Sequence, residues 1–396
     1  MRAGLKEDTL RELDKADQTK PEVLYHKAFI TGDRSYAEAA EKLDWALCFP
    51  ARLEDIAVLK FADTAMAKYY LGCLYYDRLR YDDAIEMWEA AVAAIPTLAP
   101  AWRNLGLAYY DKKHDYDKAL NALQNALDNA PTQSRIFYEL CQLKKNGGKS
   151  LEERLELHNK YPELCADRDD CTLDKSIILT QLGRLDEARD ILLDHRFHTY
   201  EGGEGNLTRH HAWLYTLRGF EALNAGKSAE ALAEFEKGYT FPLCYGEEKN
   251  YFAQESHLNY GAAMAAKACG NEALYAEYIA AAETDHAAPT EISYFRALAY
   301  FADGNKEAAE ALLNQMIANG EKEIADKDIP AYYGVGSPCP CPFEYNFDER
   351  HIVKGSVLKA FGYLGLGKKA EALAAIKDAE KLDPTNFAAH VFHIFA

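Results

Sequence analysis

No run of about eighteen apolar residues occurs in this chain of 396 residues, so nothing in it is built to span a bilayer. Basic residues are outnumbered: 45 Lys and Arg stand against 63 Asp and Glu, a net charge of −18. Such a surface repels phosphate backbones and anionic lipid, which argues against nucleic acid and against a membrane as partner. The excess serves solubility or, in a sharper reading, an acidic groove for a basic peptide. The first ten residues, MRAGLKEDTL, put charges where a secretory signal needs an apolar core, so a cytoplasmic protein is expected. A disulfide framework is missing too. The nine cysteines are odd in number and scattered, and Cys73, Cys141 and Cys269 sit at apolar helix positions, as reduced thiols do. Cys339 and Cys341 form a Cys-Pro-Cys-Pro stretch without the Cys-x-x-Cys pairs a zinc site needs. Period-two strand patterns are essentially absent, so no glycine-rich phosphate loop can follow a strand. No nucleophile elbow is present either. No enzyme, no cofactor and no metal are therefore expected.

What is present is a repeat. Leu71-Gly72 recurs as Leu105-Gly106, 34 residues later, and Tyr75 recurs as Tyr109. Ala84, Ala91 and Pro96 recur as Ala119, Ala126 and Pro131, now 35 residues later, so the second unit holds one extra residue in its turn near Lys112–Asp117. Each position has a physical task. A glycine without Cβ lets the two helices of a unit approach closely, and the alanines do the same from the second helix. The tyrosines fill the space between units, and proline ends each unit. These residues are the signature of tetratricopeptide repeats, which this chain resembles. Looser copies of the same helix, glycine, helix grammar occur at Gly183, Gly226, Gly304 and Gly367.

The fold implied is all-α: a right-handed superhelical solenoid of about nine helix pairs with a final capping helix. The pairs are expected at 21–50, 64–97, 98–132, 133–163, 167–195, 207–241, 247–285, 290–320 and 350–383, and the cap at 385–396. By regularity the chain divides into an N-terminal repeat and cap (1–63), regular repeats (64–163), divergent repeats (164–320), a proline- and aromatic-rich loop (321–349) and a last repeat with its cap (350–396).

In such arrays the first helix of each unit faces inward and presents the binding surface. In the regular units that face should carry Tyr69, Cys73, Tyr76 and Asp77, then Arg103, Leu107, Tyr110 and Asp111. Of these, Tyr69, Tyr76, Arg103 and Tyr110 suit a peptide or a sugar, and they equally suit ordinary packing. Two segments interrupt the repeat. At 195–205, His195-Arg196-Phe197-His198-Thr199-Tyr200-Glu201-Gly202-Gly203-Glu204-Gly205 joins two pairs that a few residues could have joined. It reads as a connector whose polar groups satisfy one another, or as a docking loop using Arg196, His198, Tyr200, Glu201 and Glu204. Acid–base work by Glu201 or Glu204 is a third reading. At 326–350 a longer segment carries Tyr332, Tyr333 and Phe343 among prolines, and reads as a packed strap or as a lip over a groove.

The strings HRFHTYEGGEG (195–205) and DIPAYYGVGSPCPCPFEYNFDERH (328–351), the latter followed by FGYLGLGKKAEA, also resemble segments of a bacterial family of large proteins. There a β-sandwich of unknown function, similar to carbohydrate-active enzymes of the aldose-epimerase type, precedes a long helical-repeat region. The resemblance covers roughly residues 60–396, the helical part alone. It implies a link to carbohydrate machinery but transfers no catalytic residue, because no sandwich pattern occurs in this chain. The start of the chain is compatible with a fragment and with a stand-alone scaffold. The function expected is a binding scaffold for a protein or peptide, with a glycan-positioning accessory domain as the alternative.

Overall fold

The computed structural model describes residues 5–44, 46, 48–198, 203–250, 253–284, 288–327, 342–344 and 346–396. Among them are 22 α-helices and no strand. Tyr200, Glu201, Tyr332, Tyr333, Cys339 and Cys341, singled out from the sequence, lie outside the described residues. The chain packs as two compact units, Met1–Leu140 and Cys141–Ala396. The segmentation expected from the sequence followed repeat regularity, whereas this division follows packing.

Unit 1 comprises α1 (Lys6–Lys15), α2 (Pro21–Thr31), α3 (Ser35–Ala40), α4 (Leu53–Ala62), α5 (Ala65–Asp77), α6 (Tyr81–Ala94), α7 (Ala99–Lys113) and α8 (Tyr116–Asn129). The boundary falls within α9 (Ser134–Asn146). Local chemistry sets the helix starts. The Thr64 hydroxyl accepts the Ala67 N–H at 3.2 Å, and the Asp115 carboxylate accepts the Lys118 N–H at 3.0 Å, each satisfying a first-turn donor. The repeat glycines are where the helices of a pair touch. A Cβ on Gly72 would lie 2.5 Å from Trp88 Nε1, and one on Gly106 would lie 2.6 Å from Leu123 Cγ. α6 starts at Tyr81 and α8 at Tyr116, so the second pair holds its extra residue between its glycine and its second helix. His114, at φ 53, takes the left-handed turn that ends α7.

Unit 2 comprises α10 (Leu151–Lys160), α11 (Pro162–Ala166), α12 (Asp169–Gln181), α13 (Leu185–Asp194), α14 (Asn206–Asn224), α15 (Ser228–Lys237), α16 (Ser256–Ala268), α17 (Glu272–Glu283), α18 (Ser293–Ala302), α19 (Lys306–Ala325), α20 (Phe347–Gly365), α21 (Lys369–Leu382) and α22 (Phe387–Phe395). Gly183, Gly226, Gly304 and Gly367 follow the first helices of their pairs at φ between 71 and 83°, a conformation that suits glycine at a helix end.

The last helix does more than the expected cap. α22 places Phe387, Val391, Phe392 and Phe395 on one side, and Val391 and Phe392 are fully buried. Phe392 packs on Phe361 of α20 at 5.6 Å between ring centroids. Phe395 meets Phe220 of α14 and Phe295 of α18, both at 5.0 Å. Phe387 reaches Trp213 and His210 of α14 at 6.2 and 5.8 Å. Just ahead of the helix, Arg154 Nη1 donates to Thr385 Oγ1, and Gln181 Nε2 donates to the Thr385 carbonyl, both at 3.0 Å. α14, α18 and α20 are the first helices of their pairs. The face that a repeat array usually leaves open is therefore filled, in unit 2, by the chain's own α22. Covering the last pair alone would have needed contacts to α20 and α21 only.

Candidate functional site

The first-helix face of unit 1 is largely committed to packing. Tyr69 is buried, and its carbonyl accepts the Trp88 indole N–H at 3.2 Å. Burial raises the Tyr69 phenol above its usual range. Tyr76 is half-buried between Tyr81 and Trp88, at 5.0 and 5.5 Å. Asn104 reaches Cys73 at 3.6 Å, tying α7 to α5. Arg103 clamps Glu139 of α9 with two hydrogen bonds of 2.7 and 2.5 Å, and Arg135 adds a third of 2.8 Å. Glu139 is 0% exposed, so its charge is held by both arginines. Arg103 thus acts first as a brace between neighbouring pairs. Tyr110 is half-buried and engaged.

The 195–205 segment is anchored at both ends by carboxylates that stood outside the sequence reading. At the first turn of α12, Asp169 Oδ1 accepts from His195 Nε2 at 2.7 Å, and Oδ2 accepts the His198 backbone N–H at 2.7 Å. The His198 ring Nδ1 lies 3.3 Å from the same Oδ2. At the far end, the Gly205 N–H donates to Glu247 Oε2 at 3.1 Å. Between them, the Phe197 N–H donates to the Cys244 carbonyl at 2.8 Å, so residues 195–198 lie along the turn around Leu243–Tyr245. Tyr245 is itself fixed by His211. A carbonyl can only accept, so His211 Nε2 carries the proton given to the Lys237 carbonyl at 3.1 Å. Nδ1 is then left to accept from the Tyr245 hydroxyl at 2.9 Å. Burial lowers His211 to about 4, which keeps the ring neutral.

These groups surround an open recess whose lining includes Asp169, Phe197, His198, Tyr245 and Glu247. Leu173 and Leu207 form its apolar floor. Glu247 Oε1 is closed off from water and has no hydrogen-bond partner among the described residues. Leu243, at the rim of the turn, is fully exposed. The structure thus joins His198 to a cavity. Arg196 and Glu204 are exposed beside it, and Phe343 is placed elsewhere, 3% exposed and packed inward. A side chain so buried cannot form the lip of a groove.

A second polar cluster was not legible in the sequence. Cys165 Sγ lies 3.4 Å from His158 Nδ1, and His158 Nε2 lies 3.1 Å from Asp174 Oδ2. Arg154 binds the other Asp174 oxygen at 2.8 Å. The connectivity is that of a thiol, its base and an orienting acid. Yet Cys165 is 4% and His158 1% exposed, and the cluster ends on Thr385, so it holds α10, α12 and the approach to α22 together. Burial opposes charge on His158, but the Asp174 hydrogen bond and the Cys165 thiol outweigh it and raise the ring to about 9. Asp174 is likewise opposed by burial and held below the usual carboxylate range by Arg154 and His158. Only the folding of α10–α12 brings these residues together. No motif spacing announces them.

Residues 69–134 match the tetratricopeptide repeat model. Over 59 residues the chain is 34% identical to the BBSome complex member BBS4 of Xenopus tropicalis, a match spanning 15% of this chain and only 11% of that protein's length. Among solved structures, YrrB, described as a tetratricopeptide protein with an unusual peptide-binding site, is similar at TM-score 0.35 and 18% identity, over 48% of this chain and 92% of that one. A tetratricopeptide repeat protein from Parabacteroides merdae is similar at TM-score 0.38 and 16% identity, over 75% and 98% of the two chains. On its own residues and helix pairing, this chain is an all-α protein that carries tetratricopeptide repeats in its first unit.

Proposed function

We propose that the chain is a non-enzymatic scaffold that binds a protein or peptide. Arrays of helix pairs present extended surfaces suited to that work. The observation that carries the reading furthest is the recess at Asp169 and Glu247. It is open, walled by both apolar and charged groups, and set beside the exposed Leu243 and Arg196. With the inner face of unit 2 filled by α22, the 195–205 segment is the docking element of that unit. Tyr76 and Tyr110 are the half-buried aromatic positions on the first-helix face of unit 1. The glycan-positioning alternative rests on the resemblance of 195–205 and 328–351 to the bacterial family. Pull-down followed by a peptide array tests the reading, with calorimetry against an oligosaccharide panel as its second arm. Peptide capture without heat from any sugar is expected. Heat from a sugar with no peptide bound would reverse the order of the two readings.

A further inference from the structure

We propose that the exposed apolar patch of Phe49, Leu53 and Leu79 in unit 1 docks an apolar segment of a partner protein that carries a carboxylate side chain. The three residues are 69, 66 and 71% exposed. Arg78 Nη2, beside Leu79, donates to the Ala51 carbonyl at 2.8 Å, so the end of α5 lies against residues 49–53. That segment follows the buried Cys48 and runs into α4 at Leu53. Leu79 takes φ 59 at the turn after α5, with its N–H donating to the Tyr76 carbonyl at 3.0 Å. The turns after α9, α12, α14, α16, α18 and α20 use glycine for this conformation, at Gly148, Gly183, Gly226, Gly270, Gly304 and Gly367. Asp63 and His114, which also take positive φ, are of types that tolerate it. A leucine is strained there, and this one gains no burial in return. Strain kept at an exposed apolar residue points to a use outside the fold.

The charge at the patch sets the partner's chemistry. The chain carries −18 overall, yet the charge left open here is positive. The Arg52 side chain, exposed beside Leu53, makes no hydrogen bond or ion pair among the described residues. Its neighbouring carboxylates are engaged elsewhere. Asp55 accepts the Arg52 backbone N–H at 2.9 Å and lies 3.3 Å from His26, and Glu54 has its own partner. Arg78 is shared between the Ala51 carbonyl and Asp77, and Arg80 is held by Asp83 and by the Tyr75 ring. Arg52 therefore offers its whole planar fork, which a carboxylate matches with two parallel hydrogen bonds. The fork and the three apolar side chains all face solvent, so a partner reaches them without entering a cavity.

The test uses the full chain and two short probes, acetyl-Leu-Leu-Glu-Leu-Leu-amide and its glutamine counterpart. Binding is read from the amide shifts of Leu53, Leu79 and Arg80. The glutamate probe should bind about fivefold more tightly than the glutamine probe, and Arg52→Gln should erase that difference. Leu79→Gly should weaken the glutamate probe about tenfold. Its melting temperature should hold or rise, because glycine accepts the turn without strain and no packed side chain is lost. A marked fall in melting temperature would show that Leu79 serves the fold, and would overturn the proposal. Equal binding of the two probes, no shift with either, or parental binding by Leu79→Gly overturns it as well. Sedimentation of the chain alone covers another occupant. A dimer that Leu79→Gly dissociates would assign the patch to a second copy and remove the acidic partner. Failure here leaves the reading of the 195–205 segment standing, since the two surfaces share no residue.

Discussion

The two units solve the same packing problem with different consequences. In unit 1, the two helices of each pair touch through Gly72 or Gly106, and the first-helix face is braced by aromatic stacking and by the Arg103–Glu139–Arg135 cluster. In unit 2 the corresponding face receives α22, and buried polar side chains lie under it: Arg154, His158, Asp174, His210 and Thr385. A repeat array need not keep its inner face open for ligands. Where an aromatic helix of the same chain is available, that face becomes core, and the accessible chemistry moves to an inter-pair segment.

Acid should separate the units most strongly. His210 and His257 of unit 2 are 5% and 1% exposed, and neither ring nitrogen of His257 has a hydrogen-bond partner among the described residues. Burial lowers each to about 3, with His211 adding to the effect at His210. A ring held neutral in the fold binds fewer protons than the unfolded chain does. Stability is therefore full above about pH 6.5 and falls as the pH drops toward 3, by roughly 1.4 kcal/mol per unit for each such group. The described histidines of unit 1, His26 and His114, are half-buried and exposed. Titration followed by Trp213 emission for unit 2, and by amide exchange in α5–α8 for unit 1, should show unit 2 unfolding first. Simultaneous loss, or no loss above pH 3, would remove this contrast. His158 acts in the opposite sense. Raised to about 9, it contributes fully below pH 6.5, and its contribution is lost as the pH rises through 9.

Phe392→Ala should cost about 3–5 kcal/mol in denaturant unfolding, the range for truncating a buried aromatic. A loss below about 1 kcal/mol would mean that α22 merely rests on the surface. Gly106→Leu should cost on the order of 1–3 kcal/mol or more, because its side chain would enter the space held by Leu123. Melting like the parent would mean that the α7–α8 pairing is wrong.

The helix pairs were legible because their signals are local. Gly72 and Gly106 repeat with Leu71 and Leu105 before them, and the turn glycines from Gly183 to Gly367 mark helix ends. α22 was legible as a helix, but not its target, since Phe387 and Phe395 find Trp213 and Phe220 more than 160 residues away. The 195–205 segment stood out by its glycines and its length. Its anchors did not, because Asp169 reads as an ordinary first-turn acid of α12 and Glu247 as one of several loop charges. Arg103 shows the converse. It was conspicuous on an inward face, and the structure spends it on Glu139.

The most direct test of the contrast is amide hydrogen exchange across residues 387–395. If α22 fills the inner face of unit 2, the Val391 and Phe392 amides should be protected to the same degree as the centres of α14 and α20. Exchange as fast as that of α1, a helix with no buried residue, would show that face to be open and would contradict the account.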